Sequence, residues 1–326
     1  MMLFKIGAAL LGAAFVNAAL YSNTSQHNHT CVLQTPVTSC SVKSLDLANV
    51  DSCCSETFGG LVLSTQFWDT HTGEEENGQL LPQKHWTLHG LWPDFCNGSF
   101  TQYCDLNRQY DPSPSPNTTN GEPDGTPVPA WKGPGVDTFI EDWGRKDLLD
   151  FMNTFWVSQG SPNKDFWAHE FSKHGTCYST FDIPCYGPKY RKNEDLIEFY
   201  ETAIKFYREL PTYDWLAAEG ITPSNKTAYS LSDITNALKK HYGATPHLGC
   251  SGPSYSETDA GKGSNDHGRT VLTEVWYFNH VTGRVQDANA THIDSTTDTS
   301  CSSADGAIWY YERASKSEQD VSDKEF

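Results

Sequence analysis

Two short segments of the chain concentrate side chains that move protons. The first is His85-Trp-Thr-Leu-His89-Gly-Leu-Trp92-Pro-Asp94-Phe-Cys96 and the second is Phe166-Trp-Ala-His169-Glu170-Phe-Ser-Lys173-His174-Gly-Thr-Cys177; four of the twelve histidines fall there. Read as a helix, the second segment puts Glu170 and His174 one turn apart, with Lys173 beside them. An imidazole that moves a proton, next to a cation that offsets charge on oxygen, suits chemistry at a phosphate. A zincin-type metal site needs histidines four apart. His169 and His174 are five apart, about 140° round a helix, so no metal is expected. His85 and His89 have the right spacing, but Gly90 and Pro93 work against a long helix there. Solvent exposure is the ordinary fate of a Glu-Lys-His helix face. Both segments, however, combine Trp and Phe with buriable charges, and each ends in a cysteine that can anchor it. His85, His71, His241, His247, His267, His280 and His292 read as structural.

The elements that must hold these residues are mixed. Gly60–Trp68 reads as a core strand, Val271–Phe278 as a second and Ile308–Tyr311 as a short third. Helical periodicity runs through Val136–Val157 and from Glu194 toward Leu210, where Pro211 stops it. A third helix is expected from Ser232 or Asp233, as cap, to Gly243. No strand-helix-strand unit repeats, so the fold class expected is α+β. Asp105–Gly135 carries seven prolines and reads as a long exposed loop inside one domain. Residues 315–326 read as a short acidic, frayed tail.

Composition narrows the function classes. The 326 residues include 13% aromatics and carry a formal charge of -18, which argues for a packed core and against a wide basic groove for nucleic acid. Met1–Ala18 has one cation, Lys5, an apolar run and the small-residue site Val16-Asn17-Ala18. It reads as a cleaved signal peptide, too short to span a bilayer. All ten cysteines follow it, an even number suited to five disulfides in an oxidising compartment. Asn23, Asn28, Asn97, Asn117, Asn225 and Asn289 open glycosylation triplets. Adjacent Cys53 and Cys54 read as members of two bridges rather than as a redox pair.

His89-Gly-Leu-Trp-Pro and His169-Glu-Phe-Ser-Lys-His-Gly-Thr-Cys resemble the two active-site signatures of the ribonuclease T2 family, secreted acid endoribonucleases. The resemblance runs from about Cys31 to Arg313, because the cysteine order also matches the fungal branch. It implies a central antiparallel sheet flanked by helices, no cofactor, and one domain over residues 19–314. It implies that His174 is the general base for the 2′-OH, His89 the general acid for the leaving 5′-oxygen, and Glu170 and Lys173 the stabilisers of the phosphorane-like state. His169 would hold the phosphate, Trp92 and Asp94 would form a base pocket, and Phe166 would stack on the neighbouring base. Phe100 stands where fungal members carry a Tyr. The bridges implied are Cys31–Cys54, Cys40–Cys96, Cys53–Cys185, Cys104–Cys177 and Cys250–Cys301.

The residues point the same way. An acid, a base and a cation suit a nucleophile already inside the substrate, as the RNA 2′-OH is. Stacking aromatics with few basic residues suit single-stranded RNA. The expected enzyme is a monomeric, secreted or vacuolar glycoprotein that cuts single-stranded RNA through a 2′,3′-cyclic phosphate to 3′-phosphate ends, with an acidic optimum, and leaves DNA intact. A non-catalytic member of the fold, binding carbohydrate or actin, would lack the need for both His89 and His174. A metal-dependent nuclease would stop on chelation.

Overall fold

An apolar, β-prone run without a breaker makes β1 (Leu61–Phe67), and six of its seven residues are buried. The computed structural model describes residues 31–256, 266–322 and 324; the leader, Asn23 and Asn28 lie outside them. Along the chain follow β2 (Leu81–Pro82), β3 (Thr87–Asp94), α1 (Val136–Asp142), α2 (Lys146–Phe155) and α3 (Asn163–Lys173). Then come α4 (Glu194–Arg208), α5 (Thr212–Ala218), β4 (Ala228–Tyr229), α6 (Leu231–Tyr242), β5 (His247–Ser254) and β6 (Arg269–Val281). The last elements are β7 (Ala290–Ile293), β8 (Ile308–Trp309) and β9 (Glu318–Gln319). The class is α+β: β1 lies between β3 and β6, antiparallel to both, and β5 and β7 also pair antiparallel with β6. One parallel contact joins β6 to β8.

Strand alternation divides the sheet into two unlike faces. Val62, Val275, Tyr277 and Val281 point to the face covered by helices. There α1–α4 build one apolar core, and α5 and α6 a second. Leu63, Phe67, Trp92, Glu274 and Trp276 point the other way, by their register partners. Five disulfides link Cys31–Cys54, Cys40–Cys96, Cys53–Cys185, Cys104–Cys177 and Cys250–Cys301.

Four expectations need correction. The helix read through Val136–Val157 is two helices, because the chain turns at Gly144, whose φ is 73°. The helix expected to be capped by Ser232 or Asp233 begins at Leu231 after Ser230, whose hydroxyl is engaged by Asp305 and by the Gly306 N–H. The acidic tail is not frayed where it is described. Its β9 pairs in parallel with β2, Ser317 Oγ donates to Glu75, and Val321 is buried. The Pro-rich loop is largely exposed from Pro112 on, but its start is not. Arg108, Gln109 and Asp111 are buried, with Arg108 held by Asp105, Asp182 and Asp195.

Candidate active site

A β-bulge aims His89. In the β1–β3 ladder Thr65 pairs with Gly90 and Gln66 with Leu88, so His89 is the extra residue with no partner opposite it. Regular alternation would give His89 the helix-covered face that Leu91 and Leu88 take; the extra residue lets its ring turn to the open face instead. There it stacks on Phe67, with centroids 3.7 Å apart, and meets the edge of Trp92 at 4.7 Å. Its carbonyl, freed from the ladder, accepts a hydrogen bond from Trp156 Nε1 at 2.7 Å. Phe166 lies 5.6 Å from the His89 ring.

Helix α3 brings the second set. His174 caps its C-terminus, and the His174 N–H donates to the Glu170 carbonyl, which preserves the one-turn spacing read from the sequence. Glu170 is 1% exposed. Its Oε2 accepts from Trp92 Nε1 at 2.8 Å, and its Oε1 lies 3.5 Å from His89 Nε2. The His174 ring stacks on Trp92 at 5.0 Å, so Trp92 touches both imidazoles. Lys173 ends α3, and its carbonyl accepts from the Tyr103 N–H.

The electrostatics separate the two imidazoles. Burial works against a charged His89, but the Glu170 and Glu274 carboxylates outweigh it and lift its pKa to about 9. Burial drives His174 well below its usual value; Glu170 opposes this, while Lys173, His169 and His89 add to it. Burial also pushes the Glu170 carboxyl up, yet the His89, His174 and His169 imidazoles prevail and hold it at about 2. Burial lowers the Lys173 ammonium against the pull of Glu170 and Asp111. Asp94, at the end of β3, is raised by burial to about 7.

The groups expected to bind substrate are unevenly gathered. His169 Nδ1 lies 2.7 Å from Asp111 Oδ2, which also accepts from Tyr103 Oη at 2.9 Å. That fixes the tautomer that leaves Nε2 for a ligand. Phe166 stands beside His89, but Phe100 is 65% exposed and has no ring contact with Trp92 among the described residues. Among the described residues no group of His, Cys, Asp or Glu is arranged to hold a metal ion. Sequence reasoning missed Gly90, Asp111, Trp156 and Glu274. Glu274 had a signal, as a lone acid in an apolar strand. Gly90 sits inside the motif itself. Asp111 had none, since its neighbours read as an exposed loop.

Comparison with known proteins bears on the family of the chain. The Ribonuclease T2 family matches residues 59–303. Ribonuclease T2-like 1-A of Candida albicans is 33% identical over 304 residues, 93% of this chain but 63% of the relative, so the chain spans less than two thirds of that protein. Ribonuclease Le2 of Lentinula edodes is 34% identical over 260 residues, 79% of this chain and 89% of the relative. Among solved structures, the T2 ribonuclease Actibind superposes with a TM-score of 0.63 at 29% identity, covering 86% of this chain and 97% of that one. With both motifs in place on this sheet and helix, the chain belongs to the ribonuclease T2 family.

Proposed function

We propose that this chain is a metal-independent endoribonuclease acting on single-stranded RNA. The observation that carries the reading is the pair of imidazoles around Glu170, His89 lifted to about 9 and His174 held well below its usual value. Opposed environments of that kind support His89 as the acid and His174 as the base. Neutral His174 takes the 2′-OH proton as that oxygen attacks the adjoining phosphorus. The bond to the 5′-oxygen breaks, and His89 supplies the proton to that oxygen. The products are a 2′,3′-cyclic phosphate and a 5′-OH; water then opens the ring to a 3′-phosphate. Glu170 and Lys173 stabilise the five-coordinate phosphorus, His169 holds a phosphate oxygen, and Trp92, Asp94, Phe100 and Phe166 contact bases.

Secretion, to the medium or to a vacuole, is part of the same reading. The leader motif, the disulfides and the exposure of Asn97, Asn117, Asn225 and Asn289 support it. No helix of the described residues is long and apolar enough to cross a membrane. The enzyme is taken to be one domain over residues 19–314 acting as a monomer. Incubation with homopolymeric RNAs and with DNA, with and without chelator, tests the reading. RNA products with cyclic or 3′-phosphate ends, made equally well with chelator, are expected. Chelator-sensitive cleavage of DNA at a comparable rate would refute it.

A further inference from the structure

We propose that Glu274 is a positioning residue for His89, holding Nδ1 so that Nε2 is the atom that delivers the proton. The inference rests on His89 being the general acid. As a bulge residue, His89 has no ladder partner to fix it, so its ring orientation depends on what touches the ring. Phe67 supports one face at 3.7 Å, Glu170 Oε1 stands 3.5 Å from Nε2, and Glu274 Oε1 stands 3.2 Å from Nδ1. Both carboxylate contacts are at ion-pair distance without hydrogen-bond alignment, which a small rotation of the ring or of either acid can supply. Glu274 lies directly across the ladder from Phe67, so the ring's floor and its carboxylate come from one register position. On the other side of β6 Glu274 faces Gly249, where a Cβ would lie 2.9 Å from the Glu274 Cβ. A side chain there would crowd the acid out of place.

An acid inside a central, otherwise apolar strand is disfavoured unless something requires it. The requirement here is a division of labour. Glu170 is shared between His89, Trp92 and, in the reaction, the phosphate. When a phosphate draws Glu170 away, Nε2 loses its anion while His89 must still hold its proton. Glu274 keeps a carboxylate on Nδ1 throughout, fixing the tautomer and ring plane as a carboxylate does behind a catalytic imidazole. The other titratable groups around His89 are Glu170 from α3, Asp69 just after β1, and His174 across Trp92. Asp69 is itself countered by Arg313 and His71.

The test is an imidazole NMR titration of the full chain together with kcat and KM on RNA against pH. Wild type is compared with Glu274→Gln, Glu274→Asp and the neighbouring control Asp69→Asn. For Glu274→Gln the expectation is a His89 pKa lower by about one unit or more, a tenfold change in proton affinity. The basic limb of the rate profile should move down with it, and kcat should fall at least about tenfold with KM little changed. Glu274→Asp, which keeps the charge on a shorter stem, should recover more of the titration than of the rate. Asp69→Asn should shift His89 less than Glu274→Gln. An unchanged His89 titration in Glu274→Gln, or in Glu274→Ala should the first variant not fold, overturns the proposal. Failure of the functional reading shows differently, as wild-type protein that does not cut RNA while the NMR titration still reports on the Glu274–His89 contact.

Discussion

Gly90 faces the Glu170 carboxylate with no room for a side chain between them. A Cβ at position 90 would overlap Oε2 and lie 2.6 Å from Trp92 Nε1, so the Trp92–Glu170 hydrogen bond exists because residue 90 is glycine. Gly90→Ala is expected to cost about 1–3 kcal/mol of stability by overpacking and to lower kcat by about 10²-fold through misplacement of Glu170. Thermal melting and single-turnover cleavage measure both. Wild-type turnover in this variant would mean that the Glu170 position is not critical.

Replacing either imidazole separates chemistry from folding. His89→Phe and His174→Phe are each expected to lower turnover by about 10²–10⁴-fold, the usual worth of one proton transfer. The circular dichroism spectrum should stay native. Near-normal activity in a folded variant would remove that residue from the mechanism.

The pH profile follows from the directions of the shifts. The proposed mechanism needs His174 neutral and His89 protonated. His174 is depressed, so its neutral form persists below the ordinary histidine range, and the acid limb of kcat/KM should fall below pH 6.5. His89 is raised, so its cation persists into alkali, and the basic limb should fall near pH 9. Within that plateau the acidic side is favoured. Asp94 at about 7 and Asp69 at about 6 lose their charge as pH falls, which reduces repulsion of the phosphates. A narrow bell with its basic limb below pH 7 would contradict this assignment.

Trp156 holds the bulge. Trp156→Phe keeps an aromatic ring and removes the donor to the His89 carbonyl, leaving a part-buried acceptor unpaired at a cost of up to about 1–3 kcal/mol. The expected signature is a lower melting temperature with a kcat loss larger than any change in KM. A variant with unaltered kcat would show that the bulge keeps its shape without that bond.

The two motifs made the cluster of His89, Glu170 and His174 legible, because one turn of helix and one short strand carry all three. Strand β1 and helix α4 were legible for a different reason, since both follow regular apolar patterns with clean stops. Strand β5 was not. His247–Ser254 holds two glycines, a proline and three residues of small side chain, and only pairing with β6 makes it extended. Asp111 escaped for a similar reason, because a proline-rich, polar neighbourhood gives no local sign that one acid folds back under His169. The bulge at His89 was equally silent, as it arises from register between two strands and not from either strand alone.

The order of the sheet has a consequence for the chain as it is made. His89 rests on Phe67 of β1, and β1 is completed on its other side by β6, which ends at Val281. Contacts so distant in sequence form late, and a chain emerging from the N-terminus cannot make them until β6 has left the ribosome. Shorter nascent chains carry both motifs and Phe67 but lack β6, which completes β1 and brings Glu274 to His89, so they are expected to be inert toward the ribosome's own RNA. Nested truncations of increasing length, assayed for cleavage while still tethered, would place the onset of activity where Val281 has cleared the exit tunnel.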